Sequence, residues 1–256
     1  MYKKFIFTII SLTALIFFFQ YSSAQSNISL GIKGGISIPN LKASGNSPVS
    51  KGWSSRLGPY AGVVAELQLS NRISLQSELN YSSQGGKKNG ILAIPTDQFL
   101  EYFGIDTTVA IPYIYAKGKS EAKLNYIELP VLLKVNFPLD KMFMLFVDAG
   151  PYAGYLVNAE NITKGSSNIY FDENLTQPLL PVPVSLDEKV DLKNDLKKFN
   201  FGIQGGIGLS LNLSDKSKLF LTGGGNYGLT HLQKDKANGS NNTGAATLTL
   251  GYLMNL

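Results

Sequence analysis

The chain has 256 residues, of which 44% are hydrophobic and 16% charged, with a formal net charge of +5, no cysteine and one histidine. Without cysteine there are no disulfides, thiol nucleophiles or cysteine-bound metals, and one histidine makes no metal-binding pair, so neither a cofactor nor a metal is expected. The basic residues Lys87, Lys88, Lys117, Lys119, Lys197 and Lys198 fall in segments that read as loops rather than in one stripe, so no nucleic-acid partner is expected.

Lys3 and Lys4 precede an apolar run from Phe5 to Phe19, and small residues stand at Ser22 and Ala24. This is the layout of a cleaved secretory signal peptide, and a run of about 15 residues is short for a spanning helix, which needs ~20. The expected division is a signal peptide over 1–24 and one large all-β domain over 25–256. Loss of Lys3 and Lys4 lowers the net charge by two.

Eight segments of that domain alternate at the period of a strand. The first covers about Asn27 to Ile38, with Ile28, Leu30, Ile32, Ile36 and Ile38 opposite Ser29, Lys33 and Ser37. The second, about Leu57 to Leu69, sets Val63, Ala65 and Leu67 against Glu66 and Gln68. The third starts at Ile73 and sets Leu75, Leu79 and Tyr81 against Gln76, Glu78 and Asn80. The fourth, about Ala122 to Asn136, and the fifth, from Phe143, flank the turn Phe137–Asp140. The sixth runs from Phe199 to Leu213, the seventh from Lys218 to Thr230, and the eighth closes the chain.

Connection lengths alternate long and short along the whole chain, with long ones at 39–56, 84–121, 157–197 and 231–243. Outer-membrane barrels have this asymmetry, with short periplasmic turns and long extracellular loops. Lys33, Glu66, Glu78, Glu128, Lys134 and Asp148 all fall on the polar parity; Lys or Arg on a lipid face near the midplane would cost roughly 2–4 kcal/mol. Tyr60, Tyr81, Tyr126, Phe143, Phe199, Tyr227 and Tyr252 stand at or near strand ends, suited to the two head-group levels. The pattern points to an all-β, eight-stranded, antiparallel, up-and-down transmembrane barrel. Its rival is a secreted soluble ligand-binding barrel, which explains neither the loop lengths nor the aromatic strand ends.

The strand Leu124-Asn125-Tyr126-Ile127-Glu128-Leu129-Pro130-Val131-Leu132-Leu133-Lys134 resembles the tyrosine, acidic residue, proline, leucine-leucine-lysine strand of the PorT-like outer-membrane β-barrel family of Gram-negative bacteria. Gly31–Gly35 and Asp148–Tyr152 resemble the first and central strands of that family. The resemblance implies an outer-membrane barrel; the link of the namesake to protein secretion does not transfer with it.

An eight-stranded barrel is filled by its own side chains. Lys33, Glu66, Glu78, Tyr126, Glu128, Lys134, Asp148 and Gln204 are therefore expected to meet in a polar interior cluster joined by Gln76, either as a satisfied core or as a narrow ion path. Pro130, inside a strand, predicts a bulge or a missing ladder bond. Gly202–Gly208 lacks the strand-then-helix setting of a nucleotide loop. His231, with Thr230 and Asp235 nearby, fixes no catalytic geometry, and Asp97, Glu101, Asp106, Asp172 and Glu173 have no calcium-loop spacing. The apolar runs 91–95, 109–115 and 178–184 suggest loops that pack on themselves or bind a partner. The sequence thus reads as a non-enzymatic, monomeric outer-membrane barrel in contact with lipid, with a structural, adhesion or assembly role. Its loops are the place to contact an envelope or secretion-system protein, and a narrow transport or secretion-accessory barrel is the alternative.

Overall fold

A computed structural model describes residues 27–44, 48–49, 51–96, 111–180, 182–234 and 240–256. The signal peptide expected over 1–24 and the acids Asp97, Glu101, Asp106 and Asp235 lie outside the described residues.

Eight long strands form the wall: β1 (Ile28–Ser44), β2 (Gly58–Gln68), β3 (Ile73–Pro95), β4 (Tyr113–Pro138), β5 (Phe143–Lys164), β6 (Phe199–Ser214), β7 (Ser217–Gly228) and β8 (Ser240–Asn255). Each is antiparallel to the next, and β8 pairs with β1 from Ser29 opposite Asn255 to Ser44 opposite Ser240. Closure pairs the backbone donors and acceptors of the wall with each other, the condition for strands to cross a hydrocarbon layer. Short side chains hold the tight turns. Ser70 Oγ accepts the N–H groups of Arg72 and Ile73, and Asp140 Oδ1 accepts those of Met142 and Phe143 at 2.7 and 2.6 Å. Such local bonds stabilise turns that longer side chains could not fit.

The two faces of the wall invert the usual order of a soluble protein. Ile32, Leu79, Leu129, Leu133, Ile203, Ile207, Leu221, Leu248 and Leu250 are exposed on the outside, whereas Glu66, Glu78, Asn80, Glu128, Lys134 and Asp148 are buried inside. A soluble ligand-binding barrel would enclose the apolar face instead. One row of the register, Tyr81, Ile127, Tyr155 and Phe199, carries outward aromatic rings across β3 to β6, with the Tyr155 and Phe199 rings 5.3 Å apart. Two of the aromatic residues expected at head-group levels face inward instead. Tyr60 and Tyr126 share the inward parity of Glu66 and Glu128 and are buried inside the barrel.

Segments read as loops from sequence turn out to be partly strand. Above the girdle β3 continues to Pro95 opposite Tyr113 of β4, and β5 continues to Lys164 opposite Lys119. These strands carry the wall outward as a projecting sheet. The segment after β5 folds back against it: Ile169–Tyr170 pairs with Tyr115–Ala116, and Glu188–Asp191 pairs with Glu160–Thr163. Ile114, Ala116 and Ile169 form a small core there, with Ile94, Leu179, Leu180, Val184 and Leu186 packed on it. The apolar runs around 91–95 and 178–184 therefore pack on each other. Pro130 interrupts the ladder without a bulge, because the register that pairs Ser77 with Val131 is unchanged at Asn80 and Glu128. A missing N–H removes a bond but inserts no residue. The bulge of this strand lies elsewhere, at Asn125–Tyr126.

Candidate functional site: the barrel interior and its cap

The inward positions of the strands form three polar groups, the first two of them linked. Near the short-turn end, Glu66 is gripped by two cations, Lys134 Nζ at 2.9 Å and Lys218 Nζ at 3.0 Å. Lys134 Nζ also donates to Gln76 Oε1 at 3.2 Å and lies 4.0 Å from the centre of the Phe146 ring. That ring belongs to an apolar cluster with Val64, Phe220 and Leu253. Phe146 fits because Gly208 opposes it: a Cβ there would stand 2.2 Å from the ring tip.

Gln76 links this group to the next by donating to Glu78 Oε1 at 2.6 Å. Glu78 Oε2 receives Lys33 Nζ at 2.5 Å, Asn80 Nδ2 at 2.8 Å and Gln204 Nε2 at 3.4 Å. Asn80 Nδ2 also donates to the Tyr60 hydroxyl at 2.8 Å. Toward the loop end, the fully buried Glu128 accepts Gln84 Nε2 at 2.5 Å and Asn226 Nδ2 at 3.1 Å, while Thr243 Oγ1 donates to Gln84 Oε1 at 2.6 Å. Paired with lysines and hydrogen-bonded in this way, Glu66 and Glu78 avoid the several kcal/mol that an unpaired buried ion would cost, whereas Glu128 is met by neutral donors. A cavity of about 20 Å³, lined by Lys33, Gln76, Glu78, Asp148 and Gln204 among others, has room for one water. Asp148 accepts the Gly206 N–H at its edge.

Above the polar groups the barrel closes with an apolar layer. Leu124, Tyr126, Leu156 and Ala159 of the wall pack with Leu196 and Leu232, which come from two different loops. The loops are tied to each other: Lys197 N–H donates to Leu232 O at 2.7 Å and Lys234 N–H to Asp195 O at 3.0 Å.

Of the residues expected to meet inside, Lys33, Glu66, Glu78, Lys134 and Gln204 fall in one connected network. Asp148 lines the cavity beside them, and Glu128 anchors the group nearest the loops. Tyr126 departs from the expectation: among the described residues its hydroxyl has no hydrogen-bond partner, and its ring belongs to the apolar cap. Sequence reasoning missed Tyr60, Gln84, Lys218, Asn226 and Thr243. Strand parity marks Tyr60 and Lys218 as inward, because they alternate with Val63 and Leu221 on the lipid face. Gln84 was hidden by placement in a loop. At the rim, His231 Nδ1 lies 2.8 Å from Asn242 Oδ1, and Thr230 Oγ1 is engaged with the backbone of Phe201. The two neighbours do not form a nucleophile–base pair.

A family model described as an outer membrane protein beta-barrel domain matches residues 20–234. The chain belongs to this family. Membership places the barrel in the outer membrane, so its apolar outer face meets lipid. Among solved structures, Neisserial surface protein A is 11% identical, with 91% of this chain and 100% of that chain covered and a TM-score of 0.44. The outer membrane protease OmpT from Escherichia coli is 9% identical, with 92% and 99% covered and a TM-score of 0.46. OprG from Pseudomonas aeruginosa is 7% identical, with 91% and 98% covered and a TM-score of 0.39. These likenesses carry no functional argument. No curated protein sequence matches the chain.

Proposed function

We propose that this outer-membrane barrel is a monomeric, non-enzymatic platform with a structural, adhesion or assembly role. It is made with a cleaved signal peptide over 1–24, and its ordered extracellular sheet is the contact for an envelope partner. The reading rests on one observation above all: among the described residues, side chains fill the bore from the Glu66–Lys134–Lys218 group through Glu78 and Glu128 to the Leu196–Leu232 cap, with room for one water beside Lys33 and Glu78. The wider recess of about 470 Å³ lies only at the loop end, beside Asn226 and Ala245. A filled bore suits display and assembly better than transport.

Reconstitution of the purified barrel into planar lipid bilayers separates display from transport. The platform role predicts no stepwise unitary current, in the wild type and after Leu196→Ser or Leu232→Ser alike, because the charged groups beneath the cap still block the bore. Regular unitary conductance in the wild type would overturn this reading in favour of a narrow transport barrel.

A further inference from the structure

The outward face of the projecting sheet carries charge that the folded chain leaves unneutralised. Above the Tyr81–Ile127–Tyr155 girdle the outward positions turn from apolar to basic: Lys87 on β3, Lys117, Lys119 and Lys123 on β4, and Lys164 on β5. Lys87, Lys117, Lys119 and Lys164 are exposed. By register the acids on this face are Glu121, Glu160 and Asp191, and each is engaged. Glu121 accepts Arg56 Nε at 3.0 Å, Glu160 accepts Lys189 Nζ at 2.7 Å beside Lys123, and Asp191 Oδ1 accepts the Lys193 N–H at 2.8 Å. Asp187, in the segment beside β5, accepts the Gly165 N–H. Among the described residues no ion pair involves Lys87, Lys117, Lys119 or Lys164.

Two features show that this is more than scattered surface charge. Lys119 and Lys164 are direct cross-strand partners, an arrangement that destabilises a sheet unless an anion sits between the two ammonium groups. Lys117 follows Lys119 on the same face and extends the patch along β4. The position is also constrained. The inner face of this sheet is covered by Leu179, Leu180, Val184 and Leu186. The outer face continues the lipid-facing surface of the wall past the girdle. At about 3.3 Å per residue and a tilt of ~40°, Lys123 stands about 10 Å, Lys87 about 15 Å and the Lys119–Lys164 pair about 20 Å above Ile127. A phospholipid head group reaches only about 5–8 Å past the hydrocarbon, so an outer-leaflet lipid that meets these lysines needs a longer, sugar-bearing anionic head group.

We infer that this face binds the anionic head groups of outer-leaflet lipopolysaccharide, a glycolipid whose phosphates and acidic sugars extend above the hydrocarbon. The Lys119–Lys164 pair brackets one phosphate or carboxylate, and Lys87 and Lys117 flank it. Basic side chains at a membrane surface attract anionic head groups strongly enough that three lysines together account for roughly a hundredfold in affinity.

The test uses the full barrel, folded in a zwitterionic detergent and titrated with purified rough lipopolysaccharide, with binding read from the rise in the melting temperature of the folded gel band. The variant K117Q/K119Q/K164Q is expected to bind on the order of a hundredfold more weakly. Without lipopolysaccharide it should be at least as stable as the wild type, since a repulsive pair has gone. K117R/K119R/K164R should retain binding, and phosphatidylcholine micelles should produce no shift. Unchanged affinity in the glutamine variant would overturn the inference, as would equal stabilisation by phosphatidylcholine. Tighter binding of soluble inositol hexakisphosphate than of lipopolysaccharide would also overturn it, by assigning the patch to a soluble polyanion. If the glutamine variant fails to fold, raising NaCl from about 50 to 500 mM must weaken wild-type binding at least tenfold, since contacts with several phosphates are screened at these concentrations; an unchanged affinity overturns the inference.

Discussion

Glu66 shows how one side chain can carry a disproportionate part of a barrel interior. Two ammonium groups, those of Lys134 and Lys218, lie within 3.0 Å of its carboxylate, so removing its charge leaves two cations facing each other, with Lys134 buried and only Lys218 partly open to water. Glu66→Gln should therefore lower stability by about 3–5 kcal/mol, as expected for a broken buried pair. Glu121→Gln removes a carboxylate that is 41% exposed and leaves buried Arg56 its bonds to Ser83 and Gln84, so it should lower stability by only about 1 kcal/mol. Urea unfolding of the folded gel band in phospholipid vesicles measures both, and equal effects would mean that the interior network does not govern stability. Outside the membrane, the hydrogen bond from Lys189 holds the Glu160 carboxyl below the usual carboxylate range, its slight burial notwithstanding. Because the folded value is depressed, the stabilisation of the Glu188–Asp191 strand is complete above the ordinary carboxylate range and disappears as pH falls through the folded value. Carboxyl resonances followed by NMR should place Glu160 low in the wild type and back in the ordinary range in Lys189→Gln. An identical titration in both would contradict the pairing.

Individual strands account for both what the sequence made legible and what it hid. In β2, β4 and β6 strict alternation marks the two faces, because one meets lipid and the other a packed polar interior; this is why Glu66, Glu128, Lys134 and Gln204 could be assigned to one compartment. The signal fades where β3 leaves the membrane. Gly85 adopts a positive φ of 115° and Gly86, Lys87, Lys88 and Gly90 follow, a run that reads as a turn although it pairs residue by residue with β4. Beyond the lipid the outer face no longer has to be apolar, so period-two patterning loses its physical cause while the hydrogen-bond ladder persists. Tyr60 illustrates another limit. A tyrosine near a strand end suits a head-group level, and only its pairing with Asn80 inside the barrel shows that parity outweighs position.

The projection also has a separable part. Leu186 N–H donates to Gly165 O at 2.8 Å, so the segment 166–185 leaves and returns at neighbouring points. Replacing it with two glycines should leave the eight-stranded wall intact by gel mobility. It should also bare the Ile114–Ala116 face and make the β3–β4 ribbon several times more sensitive to added protease. Failure of the wall to form would mean that this segment is needed for closure.

At the scale of the whole molecule, the parts form one arrangement: a lipid-facing apolar band, a bore lined with hydrogen-bonded polar and charged side chains, an apolar cap built by two loops and a basic sheet rising above the girdle. All of these require that β8 meet β1 along its length, because an open edge in hydrocarbon would leave a row of unpaired backbone groups. Closure also makes the barrel compact and slow to unfold in detergent. The most direct test is to compare boiled and unboiled samples of fractionated envelopes by gel electrophoresis. The account predicts a faster-migrating band in the unboiled outer-membrane fraction that shifts to the unfolded position on boiling. A soluble band with the same mobility before and after boiling would contradict it.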